Sequence, residues 1–163
     1  LGDKIGLAGS DEAEKHYILS HTLTALDLNN ETHDTHHPIA SQLVYEDQKP
    51  EALRKAKDFR EARLPKFFGY FERVLKANEE GTGKYLVGGK LSYADTTLWQ
   101  VLNGLKYAYP KELAAIEKDY PTLFGSFYDS VKEASGLKEY LASERRLPYS
   151  MGAFRKYPEL DRQ

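Results

Sequence analysis

The stretch Gly88–Trp99, GGKLSYADTTLW, limits what this chain can fold into more than any other, because it marks where a buried helix has to begin. Two glycines permit a tight turn, and Ser92 stands three residues before Asp95. At that spacing each side chain can accept from the other's backbone N–H, which makes a capping box. The helix is therefore expected to start at Ser92 and run to about Ala108. Ala94, Leu98, Trp99, Val101, Leu102 and Leu105 make it apolar on nearly every side, the pattern of a helix whose neighbours cover most of its circumference. It should be the centre of the fold.

The rest of the chain also reads as helix. From Ser10 an acidic first turn of Asp11, Glu12 and Glu14 suits a helix N-terminus, and Tyr17, Ile18, Leu19, Leu23, Leu26 and Leu28 recur at helical spacing. This first long helix should reach about Thr32, or continue through His33, His36 and His37, and must stop before Pro38. A second long helix is expected from Pro50 or Glu51 to Asn78 on a stripe of Leu53, Ala56, Leu64, Phe67, Phe68, Phe71 and Leu75, kinked at the internal Pro65. Asn78 to Lys84 reads as a polar loop. Shorter helices should follow over Lys111–Lys118, Pro121–Ala134 and Leu137–Ser143. Residues 147–163, broken by Pro148, Gly152 and Pro158, read as an irregular tail. No run of strand period and no internal repeat is visible, so the expected class is all-α: a helical bundle over residues 10–146 preceded by a linker at 1–9.

Composition removes several functions. Charged residues make up 29% of the 163, but they nearly balance at a net charge of −2, so there is no general basic field for nucleic acid or anionic membrane. No stretch approaches the roughly 20 apolar residues of a membrane helix, and none has the paired regions of a signal peptide. The absence of cysteine removes disulfides, a thiolate nucleophile and zinc–thiolate sites, and is compatible with a cytoplasmic setting. Gly81-Thr82-Gly83-Lys84 and Gly88-Gly89-Lys90 lack the Gly-Lys-Ser/Thr run of a phosphate loop, since Leu91 follows Lys90. The chain opens at Leu1 and its only methionine is Met151, so a preceding segment is expected.

The order of signals is particular: Tyr85-Leu86-Val87, Gly-Gly, Leu-Ser-x-Ala-Asp, a buried helix, Tyr120-Pro121-Thr122-Leu123, then Gly136-Leu137-Lys138-Glu139-Tyr140-Leu141. Together they resemble the C-terminal helical domain of cytosolic glutathione transferases, nearest the tyrosine-using sigma and pi classes. In that family the Ser/Thr-x-x-Asp box caps the core helix beside a hydrophobic staple; here Leu91 would meet Thr96, so the staple should be weak. The resemblance implies conjugation of glutathione to a small electrophile in the cytoplasm, for detoxification, with glutathione as co-substrate and no other cofactor. It implies a homodimer with no nucleic-acid or membrane partner. It also implies that the catalytic hydroxyl lies in a thioredoxin-like N-terminal domain outside these residues, leaving this chain alone inactive. The alternative is a non-catalytic interaction or structural module built on the same fold.

Three groups of residues could carry chemistry. Asp27 lies on a polar strip of the first helix with His16, Ser20 and Thr24, which periodicity alone reads as a solvated face. The resemblance instead puts Asp27 where many glutathione transferases have an acid reaching across the dimer interface toward the γ-glutamyl ammonium of glutathione, a task suited to a carboxylate. By the same count His37 falls where several classes place an aromatic side chain against the electrophile; the other reading is a loop histidine in water. His33, His36 and His37 have spacings at which imidazoles can share an ion. Pro38 is expected to end the helix there, and further ligands would have to come from elsewhere, so no metal site is expected.

Overall fold

The computed structural model describes residues 1–163 and contains helices, turns and irregular segments with no strand. Seven α-helices follow in order: α1 Glu12–Asp34, α2 Lys49–Asp58, α3 Leu64–Ala77, α4 Tyr93–Ala108, α5 Pro110–Ile116, α6 Tyr128–Lys132 and α7 Leu137–Leu141. The all-α reading holds.

Helix α4 is central, as its pattern demands. Leu98, Leu102 and Leu105 are fully buried, Trp99 nearly so, and α4 packs most extensively against α1. Ser92 is its N-cap in extended conformation, and Asp95 at the third helical position reaches back to it in the manner of a capping box. Asp95 Oδ2 accepts from the Ser92 N–H and the Ser92 hydroxyl, each at 2.7 Å, while Oδ1 accepts from the Leu86 N–H at 2.8 Å. One buried carboxylate thus ties the incoming chain to the helix start. Gly88, at φ 58°, makes the turn that precedes it. The Thr96 hydroxyl is turned back to the Tyr93 carbonyl.

Helix α1 departs from its sequence reading. Its buried stripe is Ile18, His21, Ala25, Leu28 and Thr32, whereas Tyr17, Leu19, Leu23 and Leu26, expected in the core, are exposed. At 100° per residue, Leu19, Leu23 and Leu26 lie opposite the stripe that meets α4. The helix is amphipathic along a different face, and it carries uncovered leucines.

The second long helix is continuous, but Pro65 is accommodated in an unexpected way. Phe59–Arg63 forms a single π-helical turn between α2 and α3. Proline has no N–H to give and crowds the preceding turn, and a wider turn relieves both problems. The extra residue shifts the buried stripe: Ala52 and Ala56 face inward before the turn, Phe59 at its start, and Leu64, Phe68, Phe71 and Leu75 after it. Leu53 is consequently exposed and Phe59, absent from the expected stripe, is fully buried. A second π-helical segment, Thr122–Phe127, precedes α6. Its first two free N–H groups, of Thr122 and Leu123, donate to the buried Glu72 of α3 at 3.2 and 2.8 Å.

The segment after residue 147 is irregular yet closely packed. The Phe154 ring occupies the place where a Cβ on Gly104 would stand, 2.4 Å from its Cγ. Tyr157 stacks on Tyr45 with centroids 3.8 Å apart. Asp161 accepts from the Lys111 and Glu112 N–H groups at the start of α5, at 2.9 and 3.0 Å. Glu112, 3% exposed, receives the guanidinium groups of both Arg162 and Arg60. Burial opposes its ionisation, but the hydrogen bonds and charges of Arg162 and Arg60 prevail and hold its pKa below the ordinary value.

Two outcomes are expected. Ser92→Ala should lower stability by about 1 kcal/mol. Asp95→Ala should cost at least twice that, because two N–H groups lose their acceptor inside the protein at roughly 1–3 kcal/mol each. Denaturant midpoints of the two variants check the order. For Glu112 the folded pKa is depressed, so its stabilisation is present above the unfolded carboxylate value and is lost as pH falls through the folded one. Stability that Glu112 supplies should begin to fall near pH ~5 and continue to fall below pH ~4. Glu112→Gln should be less stable at neutral pH, and its midpoint should fall less steeply on the acid side.

Candidate functional site

A charged cleft of about 460 Å³ lies between α1 and α3, with Phe67 and Tyr70 among its lining. Thr24, Asp27, Glu31 and Asp34 stand on the α1 wall, and Arg63, Lys66 and Arg73 on or just before α3. Each wall follows from helical periodicity. Residues 24, 27, 31 and 34 and residues 63, 66, 70 and 73 repeat at three- and four-residue steps, which keeps them on one face. The result is an acidic wall facing a basic one.

The pairing across the cleft is unequal. Arg63 grips Glu31 through two parallel hydrogen bonds, Nε to Oε2 at 2.8 Å and Nη2 to Oε1 at 2.6 Å, and lies over the Phe67 ring. Tyr70 is tied down through its hydroxyl, 2.9 Å from Nδ1 of the buried His21. Asp27 is exposed and makes no ion pair or hydrogen bond with any residue of the chain. Its carboxylate is free to take an ammonium or guanidinium from outside, beside the exposed Leu23 and Leu26.

Of the residues singled out in the sequence, Ser92 and Asp95 are bonded to each other, with the Ser92 N–H and hydroxyl both donating to Asp95, and both are buried. Asp27 is on the cleft. His37 is elsewhere: it is 9% exposed, in the turn after α1, with Nδ1 3.1 Å from the Gln48 side-chain nitrogen. Gln48 itself is fully buried and bonded through its Oε1 to the Ile39 N–H and through its nitrogen to the Ala40 and Leu43 carbonyls. His37 is thus part of a buried polar network that fixes the loop. Burial lowers its pKa, with the nearby Arg155 charge acting in the same direction. Sequence reasoning missed the basic wall; the spacing of Arg63, Lys66, Tyr70 and Arg73 was the available signal, hidden beside the more conspicuous phenylalanines.

An all-α fold built around a central helix held by a Ser-x-x-Asp box is the fold of a known class of protein. Residues 33–144 match the family model for the glutathione S-transferase C-terminal domain, and the chain belongs to that family. It is 28% identical over 146 residues to glutathione S-transferase P 1 of Xenopus laevis, covering 90% of this chain and 60% of that protein. It is 29% identical over 89 residues to a glutathione S-transferase of Plasmodium falciparum, covering 53% of this chain and 40% of that one. Among solved structures, the Pi-class glutathione S-transferase of Onchocerca volvulus superposes with a TM-score of 0.65 at 25% identity, over 86% of this chain and 59% of the other. The chain therefore spans about two fifths to three fifths of the length of these relatives.

Because Asp27 has no partner within the chain, removing its charge should leave folding almost untouched. Asp27→Asn should change the unfolding free energy by no more than about 0.5 kcal/mol, measured by denaturant titration of the chain itself.

Proposed function

We propose that this chain is the helical part of a glutathione transferase that conjugates glutathione to a small electrophile, and that Asp27 binds the γ-glutamyl ammonium of glutathione held by the neighbouring subunit of a homodimer. The observation that carries this reading is the unpaired, exposed Asp27 carboxylate at the lip of the α1–α3 cleft, in a chain of the glutathione S-transferase family. An ammonium meeting a free carboxylate gains a charge-assisted hydrogen bond without breaking one already made. Glu31 already has its charge compensated by Arg63, so it offers an incoming ammonium less than the unpaired Asp27 does.

The outer face of α1 supports the dimer. Leu19, Leu23 and Leu26 are exposed together beside Asp27, a surface that a second subunit would remove from water. The electrophile side is proposed at the end of α1 near His37, the position that the family resemblance points to, although its ring is mostly buried beside Gln48. Glutathione is the co-substrate and no further cofactor is needed for the conjugation. The hydroxyl that stabilises the thiolate belongs to a thioredoxin-like domain of the whole enzyme, so these residues alone supply the wall and not the turnover. The setting is cytoplasmic and the role detoxification.

The test is Asp27→Asn in the whole dimeric enzyme, with glutathione affinity and thermal midpoint measured side by side. Affinity should fall by the worth of one hydrogen bond to a charged group, about 1.5–3 kcal/mol, while the midpoint holds. Unchanged affinity would make Asp27 a solvated surface acid. Failure of the whole protein to bind glutathione at all would favour the non-catalytic module.

A further inference from the structure

We propose that His33, His36 and His37 form a binding site for one divalent transition-metal ion of the zinc type, at the junction of α1 and the C-terminal segment. This goes beyond the transferase reading and does not depend on it. The spacing of the three histidines allows a shared ion, but Pro38 ends the helix there and removes the helical face on which they would align. The structure brings them together by another route. α1 ends at Asp34, and the turn through Thr35 folds His36 and His37 back against His33, with ring centroids 4.8–5.0 Å apart.

One ring nitrogen from each histidine lies within 4.8 Å of the others. Around a tetrahedral zinc with Zn–N bonds of about 2.0–2.1 Å, such atoms stand about 3.3 Å apart. Binding an ion requires side-chain rotations that close the difference.

The second observation is the state of His36. It is 2% exposed, and its Nε2 lies 3.0 Å from the Ala153 carbonyl, which can only accept. The ring proton therefore sits on Nε2, and Nδ1 keeps a bare lone pair. Nδ1 is buried with no hydrogen-bond partner at all, the one such side-chain atom in the protein. A buried acceptor left without a donor is costly. An imidazole whose far N–H is fixed on a carbonyl, with its near lone pair free, is also the usual state of a metal ligand. An ion is the partner that Nδ1 lacks.

The other two rings are prepared to different degrees. His33 Nδ1 lies 3.4 Å from the Asp34 carboxylate, which favours the proton there and leaves Nε2 free. His37 has Nδ1 against the Gln48 amide, so its proton rests on Nε2. To ligate through Nε2 it must move that proton to Nδ1 and give up the Gln48 contact. It is the last and weakest ligand of the three. Asp34 adds a favourable charge beside the site, and Arg155 an opposing one. Three imidazoles without thiolate suit zinc, nickel, copper or cobalt, and not magnesium or calcium, which take oxygen ligands. Water completes the tetrahedron.

The experiment uses the untagged 163-residue chain, stripped with a chelator and titrated with zinc chloride by calorimetry and with cobalt chloride by visible absorption. Saturable uptake of one zinc per chain, a tetrahedral cobalt spectrum and no response to magnesium are expected. His36→Gln keeps a donor for the Ala153 carbonyl and removes the ligand; His33→Ala changes a partly exposed ring in the last turn of α1. Each should weaken zinc binding by roughly tenfold or more, while His16→Ala, outside the cluster, should not. Uptake that does not saturate, that exceeds one ion per chain, or that is unchanged in His33→Ala would mean adventitious surface binding only and would overturn the proposal. Should His36→Gln fail to fold, His33→Ala decides.

Discussion

The Asp95 carboxylate is fully removed from water and must satisfy the Leu86 N–H, the Ser92 N–H and the Ser92 hydroxyl at once. Burial pushes its pKa above the ordinary carboxylate value, and the bonds from Ser92 and Leu86 offset this only in part. The arrangement solves a problem no apolar residue could solve. A helix that begins inside the protein has free N–H groups and a positive dipole end, and the segment entering it has an amide of its own to satisfy. Because α4 is covered by α1, α5, α6 and the C-terminal segment, the direction in which Asp95 launches it fixes where each of them can pack.

The same logic recurs at two other helix starts. Glu72 of α3 takes the first N–H groups of the Thr122–Phe127 segment, and Asp161 takes those of α5, each acid reaching some fifty residues along the chain. These long-range caps add directional bonds to elements that also meet through the core, as Phe68 of α3 meets Phe124 at 5.0 Å between ring centroids. They also explain why the C-terminal segment is packed despite having almost no regular structure: its order comes from Phe154 in the space left by Gly104 and from the Asp161, Arg162 and Glu112 network.

Local signals were legible in the sequence and relational ones were not. The Ser92–Asp95 box, the limits of α4, the stop before Pro38 and the all-α class can all be read from spacings of a few residues. The face of α1 could not be, because apolar residues lie on both of its sides and only the packing on α4 decides that Ile18, Ala25 and Leu28 go inward while Leu19, Leu23 and Leu26 stay out. Asp27 was legible as a polar position, but its lack of a partner became visible only once Arg63 was seen to choose Glu31. The histidines were legible as a cluster in sequence, while their convergence depends on a turn whose geometry Gln48 and Ala153 impose from a distance.

The π-helical turn at Phe59–Arg63 has a consequence for how this region compares with others of its kind. A π turn holds one residue more than an α turn, so the two halves of the long helix are out of phase by about 100° in the ordinary helical count. The hydrophobic stripe stays continuous in space although it is broken in sequence. A chain shorter by one residue between Ala56 and Leu64 could keep both halves on the core simply by closing the turn to an α one. A length difference at that point is therefore a local change of winding and not a change of fold, and a gap belongs inside the helix there rather than in a flanking loop.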